Sequence, residues 1–288
     1  MWFNYHYYQI PNALAASRNV EGYVGYPQYQ ISNALPVNER LLLIQNTKYL
    51  VQYTANRFLV VGGNLASSSG PSTEVIDLDP SSTCNSFGDL DIYREYSVGG
   101  LLGNTPIVCG GSSSSIRQSC LIFGQPQTIT MTEPRYFAAS VVLNTTTMWV
   151  IGGWDGSNRL SSTEFITLEK AVTGPSLPHA LLYHCAVKFN ESQIYVIGGE
   201  DKEGVNNGQY TNDVYVFNPL DNFSYIHHSA MNYQRGNHGC AVMNDGESLI
   251  IVVAGGNGKL SSSSSSKAHL DSVEILDPSL GQWIIGKK

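Results

Sequence analysis

The sequence runs to 288 residues, with only 14% charged, 28 glycines, 17 tyrosines and a formal net charge of -7. That balance offers no general attraction to phosphate backbones or anionic lipid, which reward clustered Lys and Arg, so neither nucleic acid nor a membrane is an expected partner. No run of about 18 apolar residues occurs and no basic start leads into an apolar stretch, so the chain reads as soluble without a membrane span or signal peptide. Its compartment stays open: the cytoplasm is expected if this is the whole chain, and an extracellular place is open if a signal peptide is missing.

In chain order, residues 1–40 form an irregular Tyr-rich segment, in which GYVGYPQYQIS, followed by LLLIQN from Leu41, could supply strands. Residues 41–288 then repeat themselves. An apolar run ends in a glycine pair five times: RFLVVGG at Gly62–Gly63, PIVCGG at Gly110–Gly111, TMWVIGG at Gly152–Gly153, QIYVIGG at Gly198–Gly199 and IIVVAGG at Gly255–Gly256. The spacings are about 48, 42, 46 and 57 residues, in the range of propeller blades.

Upstream of each pair lies a second apolar segment, as in YFAASVVL from Tyr136, YHCAVKF from Tyr183 and HGCAVM from His238, separated from it by turn residues as in a hairpin. Downstream comes an alternating segment often carrying a glutamate: Glu74, Glu164 and Glu274, with DVYVFNP from Asp213 as its counterpart. A fourth, weaker strand follows, clearest around Trp283. Such a four-stranded antiparallel unit cannot bury both faces alone, and radial stacking of units solves that. Sustained helical periodicity is absent, which excludes a helical solenoid.

These residues resemble the kelch repeat: an Arg before the first strand, an apolar strand, a hydrophobic run ending in Gly-Gly, a variable loop, a Glu-bearing strand closed by Asp-Pro and a Trp in the last strand. The resemblance spans roughly Leu41 to Trp283. It departs from the pattern in repeat two, where QSCLIFG replaces the Glu strand, and in the Trp, which stands in the last strand of the last repeat alone. The resemblance implies an all-β fold, a kelch-type β-propeller of four-stranded antiparallel blades with five recognisable repeats. An incomplete sixth blade from the N-terminal segment is expected slightly ahead of a five-bladed ring, and a truncated chain stays open.

Alignment on the glycine pairs puts Arg94, Arg135 and Arg235 at one position. Kelch domains that grip acidic motifs use arginines there, so the resemblance implies these three as contacts to a protein or peptide partner, one bearing an acidic motif included; adjacent to them, Tyr96, Tyr136, Tyr183, Asn237 and His238 could extend the same surface, tyrosine offering broad contact area. The competing reading has each Arg pairing with an acidic neighbour or a loop carbonyl between blades. The function implied is a non-catalytic protein-interaction module with no catalytic residue, cofactor or metal assigned; the alternatives are a copper radical oxidase-like enzyme, prompted by Tyr183-His184 and His238, and a secreted lectin-like or matrix protein. His184 aligns with Ala139 and Gly239 on an inner strand, which favours a core histidine over a ligand.

Five cysteines leave no complete disulfide framework. Cys109 and Cys120 could meet across a hairpin, whereas Cys185 and Cys240 read as small buried thiols. Sequons at Asn144, Asn190 and Asn222 pull only weakly toward secretion in a chain this rich in Asn, Ser and Thr. The serine runs 112–115 and 261–266 read as mobile, solvated loops, and Glu200 to Gly208 as a polar loop without metal-binding spacing.

Overall fold

Among the described residues, short runs of β-branched and aromatic residues, closed by Asn, Asp and Gly turns, form antiparallel strands. The computed structural model describes residues 92–201, 209–259 and 268–286, Leu90, and the strands that precede it. β1 (Ala13–Leu14) pairs with β2 (Ile31–Ser32). β3 (Tyr49–Thr54), β4 (Arg57–Val61) and β5 (Thr73–Asp77) make a first sheet. A second contains β6 (Val98–Leu102), β7 (Thr105–Cys109), β8 (Ser119–Ile122) and β9 (Thr128–Thr130).

The third sheet has β10 (Ala139–Asn144), β11 (Thr147–Ile151), β12 (Thr163–Ile166) and β13 (Ala171–Thr173). The fourth has β14 (Cys185–Asn190), β15 (Gln193–Asp201), β16 (Gln209–Asn218) and β17 (Ser224–His227). After β18 (Arg235–Gly236) come β19 (Gly239–Asn244), β20 (Leu249–Ala254), β21 (Asn257–Gly258), β22 (Ala268–His269), β23 (Val273–Asp277) and β24 (Gln282–Ile285). Of these, β19, β20, β23 and β24 form the fifth sheet in that order, and β18, β21 and β22 a separate small sheet in the order β18-β21-β22.

Four of these sheets are thus four-stranded, antiparallel and, among the described residues, free of helix. The atypical segment QSCLIFG forms the third strand of the second sheet like its counterparts, with Cys109 opposite Cys120. An irregular sixth blade from residues 1–40 lies outside the described residues apart from β1 and β2, as does the fourth strand of the first repeat. The first of the two serine runs is not loose: Ser112 bridges to Glu95 and to Ile116. The second lies outside the described residues.

Packing shows why the units repeat. The first strands β3, β6, β10, β14 and β19 neighbour one another in succession, so the sheets fan out from a shared inner edge. Apolar clusters fill the gaps between consecutive sheets. Val98, Ile107 and Ile122 of the second sheet meet Met148, Val150 and Ile166 of the third. Trp149 and Ile151 of the third meet Val196 and Phe217 of the fourth. Tyr195 and Val214 of the fourth meet Ile251, Leu276 and Trp283 of the fifth. Alternation along each strand sends side chains to both faces, so the second strand of each sheet from the second to the fifth, flanked on both sides, is apolar and buried nearly throughout.

In the second, third and fourth sheets the first glycine of the pair sits where one sheet's backbone touches the next. Gly152 has φ +57°, and a Cβ there would lie 2.6 Å from the Leu181 carbonyl oxygen of the following sheet. Gly153 then donates its N–H to that same oxygen at 2.8 Å. Gly111 repeats the bond to the Arg135 oxygen at 2.9 Å. A side chain would therefore push two sheets apart as well as strain the backbone.

Gly152→Ala is accordingly expected to lose roughly 1–2 kcal/mol to the left-handed backbone and about 1 kcal/mol or more to displacement of the neighbouring sheet. Gly281, with φ +67° and nothing within 4 Å of where a Cβ would stand, isolates the first of these costs. Urea unfolding of Gly152→Ala beside Gly281→Ala separates them: equal losses would mean that the diglycine contact carries no inter-sheet energy.

Candidate functional site

The two ends of the sheet array differ. At one end lie the turns joining first to second and third to fourth strands, short and held by their own side chains: Thr146 N–H donates to Asn144 Oδ1 at 2.9 Å, Ser192 N–H to Asn190 Oδ1 at 2.9 Å and Ser279 N–H to Asp277 Oδ1 at 2.8 Å. At the other end lie the longer connections between second and third strands and those that lead into each first strand. Antiparallel pairing forces this division, because every first strand starts where the second one finishes.

All the residues expected from sequence to contact a partner lie at this loop end, but the arginines do not reach its surface. Arg94, Arg135 and Arg235 are 0%, 1% and 0% exposed. Arg135 donates to the carbonyl oxygens of Gly152 and Ser162 and to Glu164 Oε1 at 2.8 Å. Arg235 does the same with Gly255, Ser272 and Glu274, and Arg94 with Gly110 and Ser119. Buried in this way, none of the three presents its guanidinium to an acidic partner at the surface, contrary to expectation. Each guanidinium ties the entry to a first strand to the second and third strands of its own sheet.

Glu164 is saturated from both sides, since Oε2 also accepts the Thr132 N–H at 2.7 Å. The fourth sheet changes both partners together. Leu181 stands at the arginine position and Tyr215, paired with Val196, at the glutamate position, and both are buried in one apolar cluster. In the third and fifth sheets the Glu of the third strand is thus the receptor of the Arg, and neither is a surface charge; in the second, Leu121 stands at the glutamate position and Arg94 donates to Ser119 Oγ instead.

Two residues after each arginine position the backbone turns left-handed, at Tyr96 (φ 53°), Phe137 (φ 56°), Tyr183 (φ 59°) and Asn237 (φ 56°). The conformation lets each link to the preceding sheet: Phe137 N–H donates to the Tyr96 oxygen at 3.3 Å, Tyr183 to Phe137 at 3.1 Å and Asn237 to Tyr183 at 2.9 Å. Their rings form a ladder across three sheets, with centroids 4.3 Å apart for Tyr96 and Phe137 and 4.2 Å for Phe137 and Tyr183. Tyr136 packs beside Phe137 at 4.1 Å. All four aromatic residues are half-buried.

The phenols are held protonated. Burial, with the Glu200 carboxylate next, pushes Tyr183 above its ordinary value, and burial followed by Glu95 does the same for Tyr96; burial alone raises Tyr136. Around the ladder, Arg159 pairs with Glu200 and lies 5.6 Å from the Trp154 ring centre. Sequence reasoning named Tyr136, beside its arginine, and missed Phe137; the spacing of two residues from the arginine position, shared by Tyr96 and Tyr183, was the available signal. It also missed Trp154 and Arg159, which follow the glycine pair in the third sheet. Glu200 and Asp201, expected in a loop, extend β15.

Histidines 184 and 238 occupy equivalent positions one residue beyond the left-handed turn, level with Ser97 and Ala138. The expected alignment of His184 with Ala139 and Gly239 is off by one, because those two pair in register with Ile151 and Ala254, where Cys185 pairs with Ile197. Both imidazoles pack over diglycines: a Cβ on Gly152 or Gly198 would lie 3.0 or 2.8 Å from the Cε1 atom of His184 or His238 respectively. His238 is thus a core residue rather than an open contact. Among the described residues, no group of three or more His, Cys, Asp or Glu comes together as a metal site.

The cysteines depart from expectation in one case. Cys109 and Cys120 are joined across the β7–β8 pair. Cys185 and Cys240, expected as buried thiols, are also joined, linking β14 of the fourth sheet to β19 of the fifth along the inner edge.

Residues 182–222 match the Kelch motif, a stretch that covers the first three strands of the fourth sheet and the turn after them. The match supports placing the chain with kelch-repeat proteins, whose motif suggests a β-propeller and commonly serves protein interaction. A search of curated proteins finds no match.

Proposed function

We propose that the chain is a kelch-type β-propeller acting as a non-catalytic interaction module, which docks a protein or peptide partner at the loop end against the aromatic ladder of Tyr96, Tyr136, Phe137 and Tyr183. The consecutive face-to-face packing of the sheets supports a ring. So does the second face of the fifth sheet, where Met243, Ile250 and Val252 are buried on the side turned from the fourth.

One observation carries the docking role. Left-handed backbone is costly for tyrosine and phenylalanine, and glycine or asparagine would hold it more cheaply; Asn237 does so in the fifth sheet. Three consecutive aromatics at that position are therefore kept for their rings. Half-buried rings of this kind give broad contact area for little lost side-chain entropy.

Phe137→Asn with Tyr183→Asn copies the residue at 237 and leaves the backbone bonds in place. For a partner identified by proximity labelling, the double variant is expected to bind at least about tenfold more weakly, equivalent to about 1.4 kcal/mol, while Asn244→Ala on the opposite end binds as the parent does. Calorimetric titration checks this, and unchanged affinity in the double variant would remove the ladder from the docking surface.

A further inference from the structure

The turn end carries a feature that the loop end lacks. Asn144-Thr145-Thr146, Asn190-Glu191-Ser192 and Asn222-Phe223-Ser224 are the three Asn-x-Ser/Thr triplets of the sequence. All three asparagines are exposed. Asn144 and Asn190 end the first strands of the third and fourth sheets, and Asn222 lies in the turn between β16 and β17, so all three point from the same end.

Turn chemistry alone does not require these triplets. Asn244 makes the equivalent turn in the fifth sheet, accepting the Gly246 N–H at 2.9 Å, with no hydroxyl two residues on. In the other two turns the hydroxyl is turned back on the amide: Thr146 Oγ1 donates to Asn144 Oδ1 at 2.9 Å and Ser192 Oγ to Asn190 Oδ1 at 3.0 Å. At the third site Phe223 is anchored against Trp149 and Phe165 of the neighbouring sheet, with centroids 4.9 and 5.1 Å away, and Asn222 remains outside.

The second, independent observation is the pair of disulfides, Cys109–Cys120 and Cys185–Cys240. Structural disulfides form and persist in oxidising compartments and are rare in the cytosol, and the oxidising route of secretion is where asparagine in such triplets is glycosylated.

We infer that Asn144, Asn190 and Asn222 carry N-linked oligosaccharides, which clothe the turn end and leave the loop end bare. In the transfer, the Asn Nδ2 attacks the anomeric carbon of a lipid-diphosphate-linked oligosaccharide. A C–N bond forms, the C–O bond to the diphosphate breaks, the amide gives up one proton to a base and the lipid diphosphate departs, with no change of oxidation state. The hydroxyl on Oδ1 polarises the amide toward that attack. The bulky polar product sits on turns where it displaces no packing.

The protein purified from its own cells tests this directly. Treatment with peptide-N-glycosidase in heavy-oxygen water, followed by peptide mass spectrometry, is expected to show Asn144 and Asn190 converted to labelled Asp, with Cys109 linked to Cys120 and Cys185 to Cys240 before reduction. Thr146→Val, which keeps the asparagine and removes the hydroxyl, is expected to abolish occupancy at Asn144 alone. Unlabelled asparagine at both 144 and 190 in the parent overturns the inference, whatever the partner at the loop end proves to be.

Discussion

Arg135→Ala is expected to destabilise the protein by about 3–5 kcal/mol, the usual cost of leaving one member of a buried ion pair without the other. The Glu164 side chain is 0% exposed, so no water replaces the guanidinium; the Gly152 carbonyl loses the arginine as donor, and the Ser162 carbonyl keeps only the Gly152 N–H. Glu164→Gln is expected to cost less than removal but still to destabilise, because an amide cannot accept on both sides from Arg135 and from Thr132. The fourth sheet supplies the rescue. Arg135→Leu with Glu164→Tyr imports the apolar solution seen at Leu181 and Tyr215, and the double variant is expected to recover much of what Arg135→Leu alone loses. Urea midpoints of the two single variants and the double variant complete the cycle. Strict additivity would show that the two positions are not coupled and that the pair does not hold the entry to the strand.

The same pair illustrates what could be read from residues alone. The five diglycines, the hairpins before them and the Glu-bearing strands after them are legible because each is local and repeats. So are the recurrence of Arg94, Arg135 and Arg235 and that of Glu74, Glu164 and Glu274, each taken by itself. What the sequence leaves open is which way a charge faces. That depends on the register of β11 with β12, which puts Glu164 opposite Val150 and beneath Arg135. An arginine at a repeated position therefore reads equally well as a ring of surface contacts or as a series of internal ties, and burial decides for the ties.

Contacts between sheets were the least legible. Cys185 and Cys240 are separated by 55 residues and meet only because β14 and β19 lie side by side. The aromatic ladder is likewise a product of neighbouring sheets. Its rungs are spaced by whole repeats, and a shift of one residue in alignment exchanges Phe137 for Tyr136. The left-handed backbone at each rung carries no composition signal, since the residues that adopt it here are chiefly aromatic rather than glycine.

Acidification provides the second large expected effect. Burial holds His184 down to about 4, and burial, with Arg235 and then His184 adding repulsion, holds His238 down to about 3. In the unfolded chain both return to an ordinary value near 6.5. Between these limits the unfolded state binds more protons than the folded one, so stability rises with pH and falls as pH drops below about 6.5. Each histidine contributes a slope of up to about 1.4 kcal/mol per pH unit, and the two together cost on the order of 3–4 kcal/mol between pH 7 and pH 5. Asp155, whose burial acts upward but is outweighed by hydrogen bonds from its own turn, and Asp245 and Asp277, held down by the hydrogen bonds of theirs, add a loss only at still lower pH. Urea unfolding at intervals from pH 7 to pH 5 is expected to show the fall, and His238→Asn to remove about half of the slope. A stability that stays flat over this range in the parent would mean that the imidazoles are charged, or open to water, in the folded protein, and that the packing of one sheet's histidine over the preceding sheet's glycine is not tight.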